Sequence, residues 1–191
     1  MTPIPAPPVP LSQAGRAAHD IGLAGLLGGN LFGRLALHPS VTEITDPTER
    51  GKVVNAAWRR YGTINTLSLA AIGAGWVGAR AAESADARLS PAERRLARAK
   101  DVLVGAVALT GIASAVEGMR FARQAPDGGV PLTDGDHTAP GASESAKRLK
   151  RRLNALGLAS LVADAGLVAV NSALAQQNFR RPPARRLFRR I

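Results

Sequence analysis

From about Ser12 to Phe179 the chain alternates four long apolar stretches with short blocks of charge. The clearest stretch, Tyr61 to Ala79, reads YGTINTLSLAAIGAGWVGA and runs nineteen residues without a charge before Arg80. As a helix rising ~1.5 Å per residue it covers roughly 28 Å, about the thickness of a bilayer's hydrocarbon core. Trp58 and Tyr61 stand at one end and Trp76 toward the other, where amphipathic rings collect as membrane-interface anchors. The pattern predicts an all-α fold, a four-helix transmembrane bundle. Its spans are expected at about 17–37, 58–79, 101–121 and 153–175.

The stretches between the spans carry their own signals. Residues 1–11 are Pro-rich with no positive n-region, which predicts a disordered tail and not a signal peptide. Ser12 can cap a first helix that ends near Leu37, because His38 precedes Pro39 and a residue before proline is pushed out of the helical region. Asp46-Pro47-Glu49 and Ser90-Pro91-Glu93 each combine a capping side chain, a proline at the first helical position and an acid that reaches back. They start the second and third helices. From Gln124 to Ser143 the composition of Gly, Pro, Asp and Thr predicts a mobile loop. Its Asp127, Asp134 and Asp136 lack the spacing of a calcium loop, so no metal site is expected. The block Lys147 to Arg152 opens the fourth helix, and residues 180–191 form a basic tail with six arginines.

Charge adds a partner. With 25 Lys and Arg against 14 Asp and Glu, the net charge is +11. Nucleic acid is not the expected target, because no basic block is interleaved with exposed aromatics and zinc fingers need cysteine, which the chain lacks. The same absence removes disulfides, Fe–S clusters and thiol catalysis. The expected partner is a lipid bilayer with anionic headgroups. Lys and Arg are slightly more frequent on the side shared by the two termini, so the reading is a multi-pass protein of the cell membrane with both termini cytoplasmic. His19 and His38 lie at opposite ends of one helix and cannot share a metal, and no cofactor site is visible.

Polar residues inside the spans are the candidate site. Each ionisable group at mid-membrane costs ~2.5 to 3.5 kcal/mol on insertion scales, so such groups should face one another or water. Counting depth along alternating helices pairs Arg34 with Glu117, with Asn65 at a shallower level in the same half. Asp164 falls near the midplane with Asn30 about one turn away, and Asp20 matches Asn171 on the side of the termini. Thr110, Ser114 and Glu117 share one face of the third helix. This seam reads either as glue that fixes helix register or as a pocket bounded by Arg34, Glu117 and Asp164. Gly25, Gly29 and Gly33, at steps of four, let another helix approach closely, within one chain or between copies of a homo-oligomer.

LALHPSV followed by VVNAAWRRYG, with Pro39, Trp58, Tyr61 and Gly62, resembles the anthrone oxygenase-like group of small four-helix membrane proteins, in which a proline follows the first span and Trp-x-x-Tyr-Gly opens the second. The resemblance covers about a quarter of the chain and implies a four-span bundle acting on a polycyclic phenol or related hydrophobic substrate. Arg34 and Asp164 stand outside that pattern, and no catalytic residue is transferred. Three functions stay open: a structural or ligand-binding bundle without enzymatic activity, an oxygenase-like enzyme, and a transporter or channel subunit in which Asp164 relays a proton or cation.

Overall fold

The computed structural model describes residues 11–82 and 89–179. The Pro-rich start and the Arg-rich end, with the expectations attached to them, lie outside the described residues. Helix α1 is Leu11–Phe32, α2 is Pro47–Ala82, α3 is Pro91–Ala122 and α4 is Glu144–Phe179. No strand occurs among the described residues, and one isolated bridge joins Leu132 to Thr138.

Pro39 does not stop the first helix as its position predicts. Beyond Phe32 the backbone widens into a π turn over Gly33–Leu37, continues through one α turn at His38–Ser40 and tightens into a 3₁₀ turn at Val41–Glu43. His38 keeps helical angles (φ −63°, ψ −44°) and donates its N–H to the Gly33 carbonyl five residues back. In a regular helix the Pro39 ring would meet the carbonyl four residues before it. The wider turn spares that contact, and the chain reverses only at Ile44, which is extended. Ser12 does not cap the first helix, which already includes Leu11, and Glu49 does not reach back but pairs with Lys52 at 2.9 Å; the capping side chains of Asp46 and Ser90 act as read. Asp46 Oδ1 accepts from the Thr48 and Glu49 amides at 2.6 and 3.1 Å, and Ser90 with Glu93 forms a reciprocal capping box.

The four helices form an antiparallel ring in chain order. α1 packs most closely along α2 and α3 along α4, with lighter contacts closing α1 to α4 and α2 to α3. The α1–α2 seam is built on glycine. A Cβ at Gly29 would lie 2.0 Å from the Tyr61 ring, one at Gly33 2.4 Å from Trp58, and one at Gly25 2.7 Å from Ser68 Oγ. These three glycines therefore seat side chains of α2 within one chain. Buried apolar residues fall into three layers: Trp76, Ala79 and Ala97 near the termini; Leu23, Leu26, Ile72, Val107, Ala163 and Leu167 in the middle; and Val41, Val54, Phe121, Val130 and Leu132 at the far end.

That far layer corrects the expectation of a mobile loop. Residues 123–143 fold down as a cap, with Val130 and Leu132 buried in the cluster. Backbone bonds tie the cap to the helices: Leu132 N–H to the Pro47 carbonyl and Gly135 N–H to that of His38, both 2.9 Å. Arg50 donates to the Ile44 and Thr133 carbonyls at 2.6 Å and clamps the cap to the α1–α2 turn.

Two described helices are long and apolar enough to cross a membrane, α3 and the Glu144–Gln177 part of α4, each containing an 18-residue stretch with a mean hydropathy of 1.8. The stretch Tyr61 to Ala79 lies in α2 but is not one of them. It is uncharged, yet Thr63, Asn65, Thr66 and Ser68 dilute it.

Candidate functional site

Polar side chains meet inside the ring at two levels. In the middle, Asn30 of α1 donates to Asp164 Oδ2 at 2.9 Å and lies 3.3 Å from Ser160 Oγ of α4. Asp164 is fully buried, and its Oδ1 has no hydrogen-bond partner. Beside this level the Tyr61 hydroxyl donates to the Gly25 carbonyl. Toward the termini, the Asn171 amide donates to Asp20 Oδ1 at 2.9 Å and its carbonyl oxygen accepts from Lys100. His19 Nδ1 is 3.0 Å from the same Asp20 oxygen, while its buried Nε2 has no partner. Lys100 Nζ also lies 4.5 Å from the centre of the Trp76 ring, and Trp76 Nε1 donates to Asp101 Oδ1 at 2.8 Å, with Arg80 holding the same carboxylate. Four helices thus contribute to one network at that end.

A third polar group lies at the opposite end, under the cap. His38 Nε2 accepts from Trp58 Nε1 at 3.1 Å, so its proton is on Nδ1, which donates to Asp136 Oδ1 at 2.9 Å. The chain Trp58–His38–Asp136 links α2, the turn after α1 and the cap. Beside it opens a cleft of about 300 Å³ lined by Arg34, His38, Pro39, Thr42, Asp134 and Asp136. Asp134 is engaged by the His137 ring and by two backbone amides. Arg34 makes no hydrogen bond or ion pair among the described residues, and neither does Oδ2 of Asp136.

The structure brings together two of the pairs read from depth, Asn30 with Asp164 and Asp20 with Asn171. It separates Arg34 from Glu117. Glu117 is paired with Arg120 of its own helix at 2.9 Å, and Arg34 faces the cleft. Asn65 is half-buried on α2 and joins neither group, while Thr110 bonds back to carbonyls of its own helix. Trp58, Tyr61 and Trp76 are not outward anchors. Their polar atoms bond His38, the Gly25 carbonyl and Asp101 between helices, and Trp76 is buried. Sequence reasoning missed Lys100, His19 and the roles of Arg50, His38 and Asp136. The spacing of His38 before Pro39 was visible, but its partner lies 98 residues away. Among the described residues no three His, Asp or Glu side chains converge as metal ligands. No protein-family model, characterised sequence or solved structure matches the chain. The residues that carry the resemblance noted above, Pro39, Trp58, Tyr61 and Gly62, lie toward the cap end.

The His38 relay gives a pH prediction. Burial, and next the positive charge of Lys150, hold the imidazole below its usual 6.5, against the opposing pull of Asp136; Arg34 adds to the lowering. A base whose folded pKa is depressed contributes its full stability above about 6.5 and loses it as pH falls through the folded value. Acidification should therefore loosen the cap, because protonated Nε2 can no longer accept from Trp58. Unfolding midpoints measured from pH 8 to 5 should fall, and His38→Gln, which keeps a donor and an acceptor without titrating, should flatten that slope. An unchanged slope in His38→Gln would remove His38 as its cause.

Proposed function

We propose that this chain is a small multi-pass membrane protein, a four-helix bundle whose outer face lies in lipid and whose interior polar groups fix the register of the helices. One observation carries the reading: the two most apolar stretches are largely unburied. In the apolar windows of α3 and α4 only 11% and 22% of residues are buried within the bundle. The core helix of a water-soluble bundle hides such a stretch. Here Val102, Leu109 and Ile112 on α3 and Leu158 and Val162 on α4 point outward, while Asp164, Lys100 and Ser160 are buried. From Val102 to Met119 the exposed apolar positions of α3 extend ~25 Å, close to a hydrocarbon core.

The same inversion supports all four helices as spans. α1 exposes Ile21 and Phe32, the π turn after it exposes Leu35, and α2 exposes Ile64, Leu67 and Val77. Their average hydropathy is lowered in part by the Gly and Ser positions that face each other across the α1–α2 seam, Gly22, Gly25, Gly75 and Ser68 among them, and in part by exposed polar residues such as Thr63 and Thr66. Arg59 and Arg60 on α2 and Arg151 and Arg152 on α4 are exposed near one end, and Arg95 and Arg98 near the other, where anionic headgroups would meet them. Termini in the cytoplasm belong to this proposal. When the full chain is expressed in cells, it should stay in the membrane pellet after salt and alkaline carbonate washes and leave it only in detergent. Recovery in the aqueous fraction without detergent would refute the membrane reading.

A further inference from the structure

We propose that the cleft beneath the cap binds the headgroup of a phospholipid carrying both a phosphate and a primary ammonium, of the phosphatidylethanolamine type; this rests on the membrane reading. The cleft offers both charges in one space. Arg34 supplies a guanidinium without a protein partner, whose planar fork suits a phosphate. Across the lining, Asp136 is held through Oδ1 by His38 and leaves Oδ2 open to accept from an ammonium. Asp134, turned toward His137, adds negative charge on the same side.

A simple anion would meet two carboxylates, and a simple cation would meet Arg34. A ligand with both charges suits both walls. At about 300 Å³ the cleft is at the small end of ligand pockets, a space for a headgroup and not for acyl chains. The chains have their own surface. Phe32 and Leu35 lie on either side of Arg34 in sequence and are 64% and 72% exposed, so tails leaving the cleft continue onto the outward side of the π turn and the end of α1. A trimethylammonium has no N–H to give Asp136, which sets phosphatidylcholine below phosphatidylethanolamine. The relay from Asp136 through His38 to Trp58 makes the indole a reporter of the headgroup.

The test places the full chain in nanodiscs containing phosphatidylethanolamine, phosphatidylcholine and phosphatidylglycerol in equal amounts and counts retained lipids by native mass spectrometry. Phosphatidylethanolamine should be retained preferentially. Its retention should drop about tenfold in Arg34→Gln and in Asp136→Asn, as for loss of one charge-assisted bond. Arg34 makes no hydrogen bond or ion pair among the described residues, so Arg34→Gln should keep nearly the wild-type unfolding midpoint and remains informative if Asp136→Asn folds poorly. Equal retention of the three lipids overturns the proposal and leaves the membrane reading standing. Preference for phosphatidylglycerol would make the cleft a plain anion site and overturns it too. Displacement by free O-phosphoethanolamine at matched concentration overturns a lipid as the occupant. Failure of the chain to enter any nanodisc overturns the membrane reading beneath it.

Discussion

Leu109→Arg should remove most of the protein from the membrane fraction. Leu109 lies in the middle of α3 and is 71% exposed, with Val102 and Ile112 exposed on the same helix. In water, a charge at such a position would cost nearly nothing, since surface substitutions away from special features stay within about 0.5 kcal/mol. In lipid it is different. An arginine at the centre of a span costs ~2.5 to 3.5 kcal/mol on insertion scales. The sign of the outcome separates the two environments without any assumption about activity. Leu109→Ala serves as the control, since it keeps an apolar surface and should insert normally. Wild-type recovery and wild-type thermal stability of Leu109→Arg in detergent-free buffer would place this face in water.

Much of the architecture can be read from the chain because helix periodicity and capping chemistry are local. Asp46 and Ser90 mark helix starts through bonds to amides two or three residues away. The level of a residue along the bundle is nearly as accessible, because rise per residue is fixed; hence Asn30 meets Asp164 and Asp20 meets Asn171. Azimuth is not accessible in this way. Arg34 and Glu117 count to the same level along the chain, but α1 and α3 lie diagonally across the ring and do not pack along each other. Glu117 turns to Arg120, and Arg34 to the cleft.

The cap illustrates a second limit. Val130 and Leu132 are the large side chains that anchor it in the core, with Ala142 beside them, too few to produce a period, and its order comes from backbone bonds to distant helix ends. Hydrophobic average is a third. It ranks α2 below α3 although both expose apolar side chains, because Ser68 and Gly75, buried against α1, count the same as exposed Thr63 and Thr66. The aromatic residues misled for a related reason. Trp58 and Trp76 have the composition of interface anchors, but their N–H groups found acceptors between helices.

Gly51→Ala should unseat the cap while leaving the four helices formed. A Cβ at Gly51 would lie 2.0 Å from the carbonyl oxygen of Val130, 2.9 Å from its carbon and 3.1 Å from its nitrogen. All three are backbone atoms, so no rotamer change relieves the contact and the cap must lift. Lifting draws Val130 and Leu132 away from Val41, Val54 and Phe121 and stretches the bonds from Leu132 to Pro47 and from Arg50 to Thr133. Overpacking of this kind costs up to about 3 kcal/mol. Alanine's better helix propensity returns at most ~1 kcal/mol, so the net effect is destabilising. Gly118→Ala, where the new methyl meets open space, isolates that propensity gain and should match or exceed wild type. Hydrogen exchange should show faster exchange at the amides of Leu132, Gly135 and Ala139 in Gly51→Ala, with the helix centres protected. Because Asp134 and Asp136 ride on the cap, the same variant should lose phosphatidylethanolamine retention together with that protection. A Gly51→Ala protein as stable as Gly118→Ala would show that the cap is not seated on α2 through Gly51.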